Sequence, residues 1–153
     1  MKIQIMKLLL SASVLFFSLS FTTWQPNFEK AKQLAKSKHQ LILLNFSGSD
    51  WCGPCMRMKN EFFNDSVFSK MADTSLELVN ADFPRNKKNK LTAEVQKQNN
   101  ALADKYNPDG KFPFTLLMDE NGKIIKTWDG LPDMNVVIYT KQIVELSNAN
   151  KKQ

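Results

Sequence analysis

The sequence predicts an α/β domain in which α-helices flank a central, mixed β-sheet. Residues 41–46, LILLNF, form a near-continuous apolar run of strand length, which is typical of a strand buried on both faces. Segments with helical spacing of apolar residues alternate with strand candidates along the chain. Two short apolar runs flank Asn121 and Gly122, a pair that favours a hairpin turn. Because a parallel βαβ half precedes an antiparallel pair, the predicted sheet is mixed.

The sequence of the first half of the domain predicts a helix, a strand and a second helix. Residues 26–38 carry apolar side chains at helical spacing, and Pro26 suits a first helical turn. The apolar strand at 41–46 follows. Residues 52–63 then return to helical spacing, which is marked by Met56, Lys59, Phe62 and Phe63.

The second half predicts a strand, a helix, a hairpin and a closing helix. Residues 75–82, SLELVNAD, are the second candidate for a parallel strand. The hairpin pairs residues 114–119 with residues 123–128, and the last helix covers residues 133–146. The helix between strand and hairpin is amphipathic and is marked by Leu91, Val95, Leu102 and Tyr106.

The first 20 residues predict a secretory signal peptide. They carry Lys2 and Lys7, no acidic residue, and an apolar run at residues 8–17 that is too short to span a bilayer comfortably. Cleavage after residue 20 would leave residues 21–153 as the mature domain, whereas an uncleaved membrane anchor is the alternative. We therefore expect an exported protein.

The composition of the remaining chain favours one domain and gives no nucleic-acid signature. Its 133 residues suffice for one hydrophobic core and are too few for two. Without Lys2 and Lys7, the formal charge falls from +6 to about +4. The densest basic run, residues 85–90, has no interleaved aromatic residues, so we expect a solvated loop rather than a nucleic-acid-binding surface.

The chain contains two cysteines, Cys52 and Cys55, in the sequence CGPC shortly after the apolar strand. On the first turn of a helix their Cα atoms would lie about 5–6 Å apart, within the range of a disulfide. Such a bond closes a very small loop, so it stabilises a fold little by chain entropy. A zinc site needs more ligands, and His39, the only histidine, lies upstream without a partner. We expect a redox-active pair and no metal; an inert disulfide and a metal site are the alternatives.

The position of each cysteine suggests its role. At the helix start, Cys52 would have unpaired backbone N–H groups and the positive end of the helix dipole beside its sulfur, and both favour the thiolate. Cys52 is therefore the predicted nucleophile, and Cys55, one turn inside and less exposed, is the predicted resolving thiol. Gly53 permits close approach of another backbone, and Pro54 suits a first turn because its missing N–H costs nothing there.

The sequence WCGPC at residues 51–55, after a hydrophobic strand, resembles the active-site motif of the thioredoxin superfamily. The resemblance covers most of residues 24–148 and implies a thioredoxin fold, with a central mixed β-sheet flanked by α-helices. More narrowly, the exported N-terminus and the GSDWC lead-in resemble periplasmic thioredoxin-like proteins of the DsbH and DsbD C-terminal-domain type. This resemblance implies a redox-active disulfide without a further cofactor, and a periplasmic or other extracytoplasmic location.

The resemblance also assigns roles to residues beside the cysteines. The family places a cis-proline opposite the cysteine pair, and KFPFTLLMDENGK matches this feature at Pro113, with Phe112 before it. Backbone around these two residues would pair with an extended substrate segment. Trp51 would pack over the motif and shape its rim; a plain core aromatic is the alternative.

Two positions depart from the thioredoxin pattern. The buried aspartate that helps to deprotonate the second cysteine in thioredoxins falls on Asn45, and the partner lysine falls on Leu78. A neutral amide cannot act as a general base. Proton handling at Cys55 would then use water, a substrate group or, if the strand register differs, Glu77.

The resemblance implies a disulfide reductase that works through thiol–disulfide exchange. The Cys52 thiolate would attack a disulfide of a protein substrate, and Cys55 would resolve the mixed disulfide. A reductant in an oxidising compartment needs an electron donor, and we expect a membrane partner. The protein itself would contact the membrane only if its N-terminal segment is retained. A disulfide isomerase or oxidase of the same fold and a non-enzymatic binding module are the alternatives.

Overall fold

The structure, a computed structural model, describes residues 23–151. The signal peptide predicted for residues 1–20 lies outside the described residues. Within them, a five-stranded sheet has the order β1-β3-β2-β4-β5. The strands are β1 (Trp24–Gln25), β2 (Leu41–Ser47), β3 (Leu76–Asp82), β4 (Phe114–Met118) and β5 (Ile124–Asp129).

Helices cover the sheet on both faces. The segment Lys59–Phe63 continues α2 as one π-helical turn, and Lys87–Asn89 forms a short 3₁₀ helix in the loop after β3. The α-helices are α1 (Phe28–Lys38), α2 (Gly53–Met58), α3 (Ser66–Ser75), α4 (Ala93–Tyr106) and α5 (Val136–Asn150).

The sheet is mixed, as the sequence predicts. Strand β3 runs parallel to both β1 and β2, whereas β4 is antiparallel to β2 and β5 is antiparallel to β4. All seven residues of β2 are buried because this strand has a neighbour on each side and helices over both faces. Alternate side chains of β2 enter two apolar clusters, one built around Phe68 and Tyr139 and one around Phe28 and Leu102. The predicted fold class is confirmed.

The predicted elements omit helix α3 and strand β1, and the predicted position of Pro26 in the first helical turn is wrong. Helix α3 was not expected; it begins after Asp65, whose carboxylate accepts a hydrogen bond from the backbone N–H of Val67. Strand β1 is only two residues long, too short to show a hydrophobic period. Pro26 precedes α1 rather than starting it, because Asn27 caps that helix.

The topology brings three chain segments to one edge of the sheet. Ser47, the last residue of β2, lies opposite Asp82, the last residue of β3, because these strands are parallel. Antiparallel β4 begins at the same edge, with Phe114 opposite Phe46. The CGPC segment after β2, the loop after β3 and the residues before β4 therefore meet there, as expected for a site at the carboxyl ends of parallel strands.

Candidate active site

The two cysteines form a disulfide at the start of α2. Cys52 is the N-cap residue, and its Sγ accepts a hydrogen bond from the backbone N–H of Cys55 at 3.2 Å. The Cα atoms lie 5.2 Å apart, as the helical spacing predicts. An N–H group of the first turn thus already points at the sulfur of Cys52, where it would stabilise a thiolate after reduction.

The expected difference in exposure between the cysteines is wrong. Both residues are 5% exposed. Burial therefore does not distinguish the two cysteines. What distinguishes them is position, because Cys52 caps the helix whereas Cys55 lies within its first turn.

The two residues between the cysteines are exposed at the surface. Gly53 and Pro54 occupy the first turn of α2, where proline requires no hydrogen-bond partner for its nitrogen. A Cβ added to Gly53 would meet no atom within 4 Å. The glycine is therefore not required by packing inside the domain, and the space beside it is open to another molecule.

Trp51 lies on the rim of the site and in neither apolar cluster of the core. Its indole Nε1 donates a hydrogen bond to the backbone oxygen of Phe83 at 2.7 Å. Its ring meets that of Phe112 edge to face, with centroids 5.5 Å apart. On its other side the ring packs so closely on Gly48 that an added Cβ there would overlap the indole. Trp51 thus joins the cysteine segment to the loop after β3 and to the residues before β4.

Phe112 and Pro113 lie beside the cysteine segment. The peptide bond between them is cis, as the resemblance implies. The ring of Phe112 also contacts that of Phe83, with centroids 5.6 Å apart. The Pro113 oxygen accepts a hydrogen bond from Gly130 N at 2.9 Å. The predicted residues Trp51, Cys52, Cys55, Phe112 and Pro113 are therefore brought together at one edge of the sheet.

Cys55, unlike Cys52, lines a cavity of about 240 Å³. Lys59, one helical turn after Cys55, supplies the only charged side chain of its lining among the described residues. The other lining residues are mostly polar or aromatic: Trp24, Asn45, Ser47, Ser49, Met56, Phe63, Asn64 and Asn80.

A network of hydrogen-bonded polar side chains forms the floor of this cavity. Asn45 is 4% exposed; its Nδ2 donates to Asn80 Oδ1 at 2.8 Å, and its Oδ1 accepts from Thr115 Oγ1 at 2.9 Å. Ser47 Oγ extends the network to Asn80 Oδ1 and Asp82 Oδ1, at 3.1 Å each. Because both polar atoms of the Asn45 amide have partners, its burial is well compensated.

The chain's family is shown by its sequence. The Thioredoxin-like family model matches residues 23–119, a range that contains β1 to β4 and the cysteine pair. The chain belongs to the thioredoxin-like family. Among curated proteins it is similar to the disulfide bond reductase DsbH of Chlamydia pneumoniae, at 34% identity over 100 residues. That match covers 65% of this chain and 58% of the relative.

Two further comparisons agree with this family. The thioredoxin-related protein DsbJ of Chlamydia pneumoniae is 27% identical over 103 residues, which are 67% of this chain and 29% of that protein. The solved structure of a DsbH oxidoreductase superposes with a TM-score of 0.75 at 26% identity, over 84% of this chain and 85% of that one. The chain thus spans 58% and 29% of the lengths of these two curated relatives, less than two thirds of each.

Of the two predicted departures from the thioredoxin pattern, only Asn45 lies beside the cysteine pair; the residue that contacts Asn45 from β3 is Asn80, not Leu78. Asn45 faces the cavity beside Cys55, and Leu78 is buried in the apolar core two positions before Asn80. Glu77, which the sequence offers as a proton acceptor for Cys55, is far from the cysteines. It lies opposite Ile42 at the other end of β2. Its carboxylate pairs with Lys38 Nζ at 2.6 Å instead. No carboxylate lines the cavity at Cys55 among the described residues.

Sequence reasoning missed the contacts that hold the loop after β3 against the site. The carboxylate of Asp50 accepts hydrogen bonds at 2.9 Å from the backbone N–H groups of Arg85 and Asn86 and from Asn89 Nδ2. These bonds hold the pKa of Asp50 below its usual range, and the bond from the Arg85 backbone N–H has the largest effect. The guanidinium of Arg85 stacks on Trp51. We refer to residues 83–90 as the basic loop.

The described residues hold no helix with the length and hydrophobicity that crossing a membrane requires. Residues 23–151 also contain no group of three or more His, Cys, Asp or Glu side chains placed to bind a metal ion.

Proposed function

We propose that this protein is an exported thiol–disulfide oxidoreductase that reduces disulfides in other proteins. The observation that carries the proposal is the Cys52–Cys55 disulfide at the start of α2, with the backbone N–H of Cys55 directed at Cys52 Sγ. Membership of the thioredoxin-like family supports the chemistry, and the similarity to a disulfide bond reductase supports the direction.

In the proposed reaction, the reduced protein donates two electrons to a substrate disulfide. The Cys52 thiolate attacks one substrate sulfur, a mixed disulfide forms, and the other substrate sulfur leaves as a thiolate. The Cys55 thiolate then attacks Cys52 Sγ, which breaks the mixed disulfide and releases the second substrate thiol. The substrate is reduced to a dithiol, and the protein is left with the Cys52–Cys55 disulfide.

The cavity beside Cys55 supports a proton route for the second step. Asn45 cannot accept the thiol proton, because a neutral amide is not a general base. Water in the cavity would carry this proton to solvent, since several polar groups line the space. Lys59 lines the same cavity, and its ammonium would favour the Cys55 thiolate electrostatically.

The surface around the disulfide supports binding of an extended substrate segment. Open space beside Gly53 admits another backbone. Trp51 and Phe112 provide an aromatic rim, and the backbone next to Pro113 provides hydrogen-bonding groups. We assign these four residues to substrate binding and Pro54 to the geometry of the helix start.

A reductase outside the cytoplasm depends on a partner. We propose export by residues 1–20 to a periplasmic or other extracytoplasmic compartment, with residues 21–153 as the working domain. Protein substrates with disulfides would oxidise the dithiol, and a membrane-associated electron donor would restore it. The redox-active disulfide is the only redox group that this scheme requires of the protein.

The direction of electron flow is tested by the redox potential of the Cys52–Cys55 pair. The protein is equilibrated with glutathione buffers of known ratio, and the dithiol fraction is measured by alkylation and mass spectrometry. We expect a potential near that of thioredoxin, about −270 mV, together with rapid reduction of insulin. A value near that of the strong oxidant DsbA, about −120 mV, would overturn the assignment as a reductase.

A further inference from the structure

The basic loop carries four exposed positive charges. Among the described residues, none of these side chains takes part in an ion pair. The carboxylate of Asp50, which contacts the loop, has its oxygens occupied by N–H groups of the loop itself. The four charges, on Arg85, Lys87, Lys88 and Lys90, are therefore available to another molecule.

The backbone that carries these charges is ordered by specific contacts. Asp50 fixes the backbone at Arg85 and Asn86, and Asn86 Oδ1 accepts from Lys88 N at 3.0 Å to start the 3₁₀ helix Lys87–Asn89. A preorganised set of charges loses less conformational freedom on binding than a flexible one. The loop is thus better suited to recognition than a freely moving basic segment.

The basic loop lies directly beside the residues that surround the disulfide. The guanidinium carbon of Arg85 is 3.7 Å from the centre of the Trp51 ring, and Trp51 immediately precedes Cys52. Phe83, at the start of the loop, contacts Phe112, which immediately precedes Pro113. A polypeptide bound across the cysteines would therefore pass next to the basic loop.

We propose that the basic loop recognises acidic peptide segments that flank the disulfide of a protein substrate. This inference rests on the proposed function and adds a substrate class to it. Opposite charge would raise the rate of encounter and orient the substrate disulfide toward Cys52. The effect weakens with salt, because exposed charges are screened over about 8 Å at physiological ionic strength.

An acidic polypeptide fits the loop better than an anionic membrane surface does. Trp51 and Phe112 lie between the loop and the disulfide, so the charges and the aromatic rim form one continuous surface that leads to the reacting sulfur. A membrane bound by the four charges would face the same surface and cover the disulfide.

The test uses two disulfide-linked peptides that differ only in the residues next to each cysteine, Glu-Glu in one and Lys-Lys in the other. At low ionic strength we expect the reduced protein to reduce the acidic peptide about 10-fold faster or more. The ratio should fall toward about 2 in 0.5 M salt. The double variant Lys87→Glu/Lys88→Glu should lose this preference.

The matched control reverses two charges at the opposite end of the sheet. Lys36 and Lys151 line a different cavity, beside Leu41 at the start of β2. The double variant Lys36→Glu/Lys151→Glu changes the net charge by the same amount and should keep most of the preference. The inference would be overturned if wild type reduced the two peptides at equal rates, or if both double variants lost the preference for the acidic peptide equally. Loss of binding to phosphatidylglycerol vesicles with an unchanged peptide ratio would assign the loop to a membrane instead.

Two further measurements separate this inference from the proposed function. Bis(2-hydroxyethyl) disulfide is uncharged, and all variants should reduce it at the wild-type rate; failure of the wild type would count against the proposed chemistry. Binding of cysteine-free versions of the two peptides to the oxidised protein is measured by fluorescence anisotropy. Tighter binding of the acidic peptide supports the inference even without turnover, and equal binding contradicts it.

Discussion

The guanidinium carbon of Arg85 lies 3.7 Å from the centre of the Trp51 indole ring. The two residues are 34 positions apart in the sequence. Trp51 also donates a hydrogen bond to the backbone oxygen of Phe83, so it contacts the basic loop at two residues. Cation–π contacts are worth about 0.5–1 kcal/mol at exposed sites. The loop after β3 thereby holds Trp51, the residue before Cys52, in place. A substitution in the loop should therefore alter the position of Trp51, and a substitution of Trp51 should alter the loop.

Two glycine variants test how the rim of the site is built. Gly48→Ala should destabilise the domain by about 1–3 kcal/mol, because the added methyl group overlaps the Trp51 ring and displaces it. Gly53→Ala should change stability by less than about 0.5 kcal/mol, since its methyl group enters open space. Urea unfolding gives both values. Equal losses in the two variants would contradict the packing described for Trp51.

The Gly53→Ala variant also tests the proposed binding of a substrate segment beside the disulfide. If a substrate backbone passes close to Gly53, the variant should reduce insulin more slowly than wild type while it reduces a small uncharged disulfide at the same rate. Parallel rates for wild type and variant on both substrates would show that this glycine has no part in substrate approach.

The anchoring of the basic loop by Asp50 should depend on pH. The hydrogen bonds, first among them that from the Arg85 backbone, lower the pKa of Asp50 in the folded protein. A carboxylate with a lowered pKa stabilises its contacts above the unfolded value, about 3.9, and loses that contribution as the pH falls through the lower folded value. The backbone amide resonances of Arg85 and Asn86 should therefore shift with a midpoint below about 3.9.

The control for that titration is Asp50→Asn. Its side chain does not ionise over this range, so the acid-induced shift of the two amide resonances should disappear. A wild-type midpoint at or above about 3.9 would mean that Asp50 does not hold the loop through its charged form.

The sequence predicts the parts of this fold that depend on local pattern. The apolar run at 41–46 fixes β2 as a buried strand, and the CGPC spacing fixes the cysteines on a first helical turn. Helix α3 has a usable sequence signal as well. Asp65, a capping residue, precedes Phe68 and Ala72, which are four residues apart and are both buried. A capping residue before that pair marks a new helix rather than the tail of the preceding one.

The remaining features of the site depend on contacts between distant segments. Asn45, Asn80 and Thr115 form one network because the strand register places them side by side across three strands. The basic run at 85–90 was expected to be a solvated loop, and its cationic side chains are indeed exposed. Its backbone, however, is held by Asp50, which no local pattern could indicate.

Asn45→Asp tests whether the floor of the cavity tolerates a charge. The variant buries a carboxylate where Asn45 Nδ2 now donates to Asn80, and both side-chain partners of Asn45, Asn80 and Thr115, are neutral. Burial should raise the pKa of the new carboxyl. A raised pKa means that the folded form holds the proton more tightly, so stability is lost as the pH rises above about 4. We expect a loss of about 1–3 kcal/mol between pH 5 and pH 8 relative to wild type.

The matched control for that variant is Asn100→Asp on the exposed face of α4. Urea unfolding at both pH values should give no added pH dependence for this change. The same result for Asn45→Asp would show that position 45 is solvated and would contradict the burial described for Asn45.

The central claim, that Cys52 attacks and Cys55 resolves, is tested most directly by trapping the mixed disulfide. Cys52→Ser, Cys55→Ser and the double variant are mixed with a disulfide substrate, and intact masses are measured without reductant. Cys55→Ser should accumulate the mixed disulfide, because the first-turn N–H of the helix stabilises the Cys52 thiolate and no resolving thiol remains. Cys52→Ser should trap little and the double variant none. Equal trapping by the two single variants, or more by Cys52→Ser, would contradict the account.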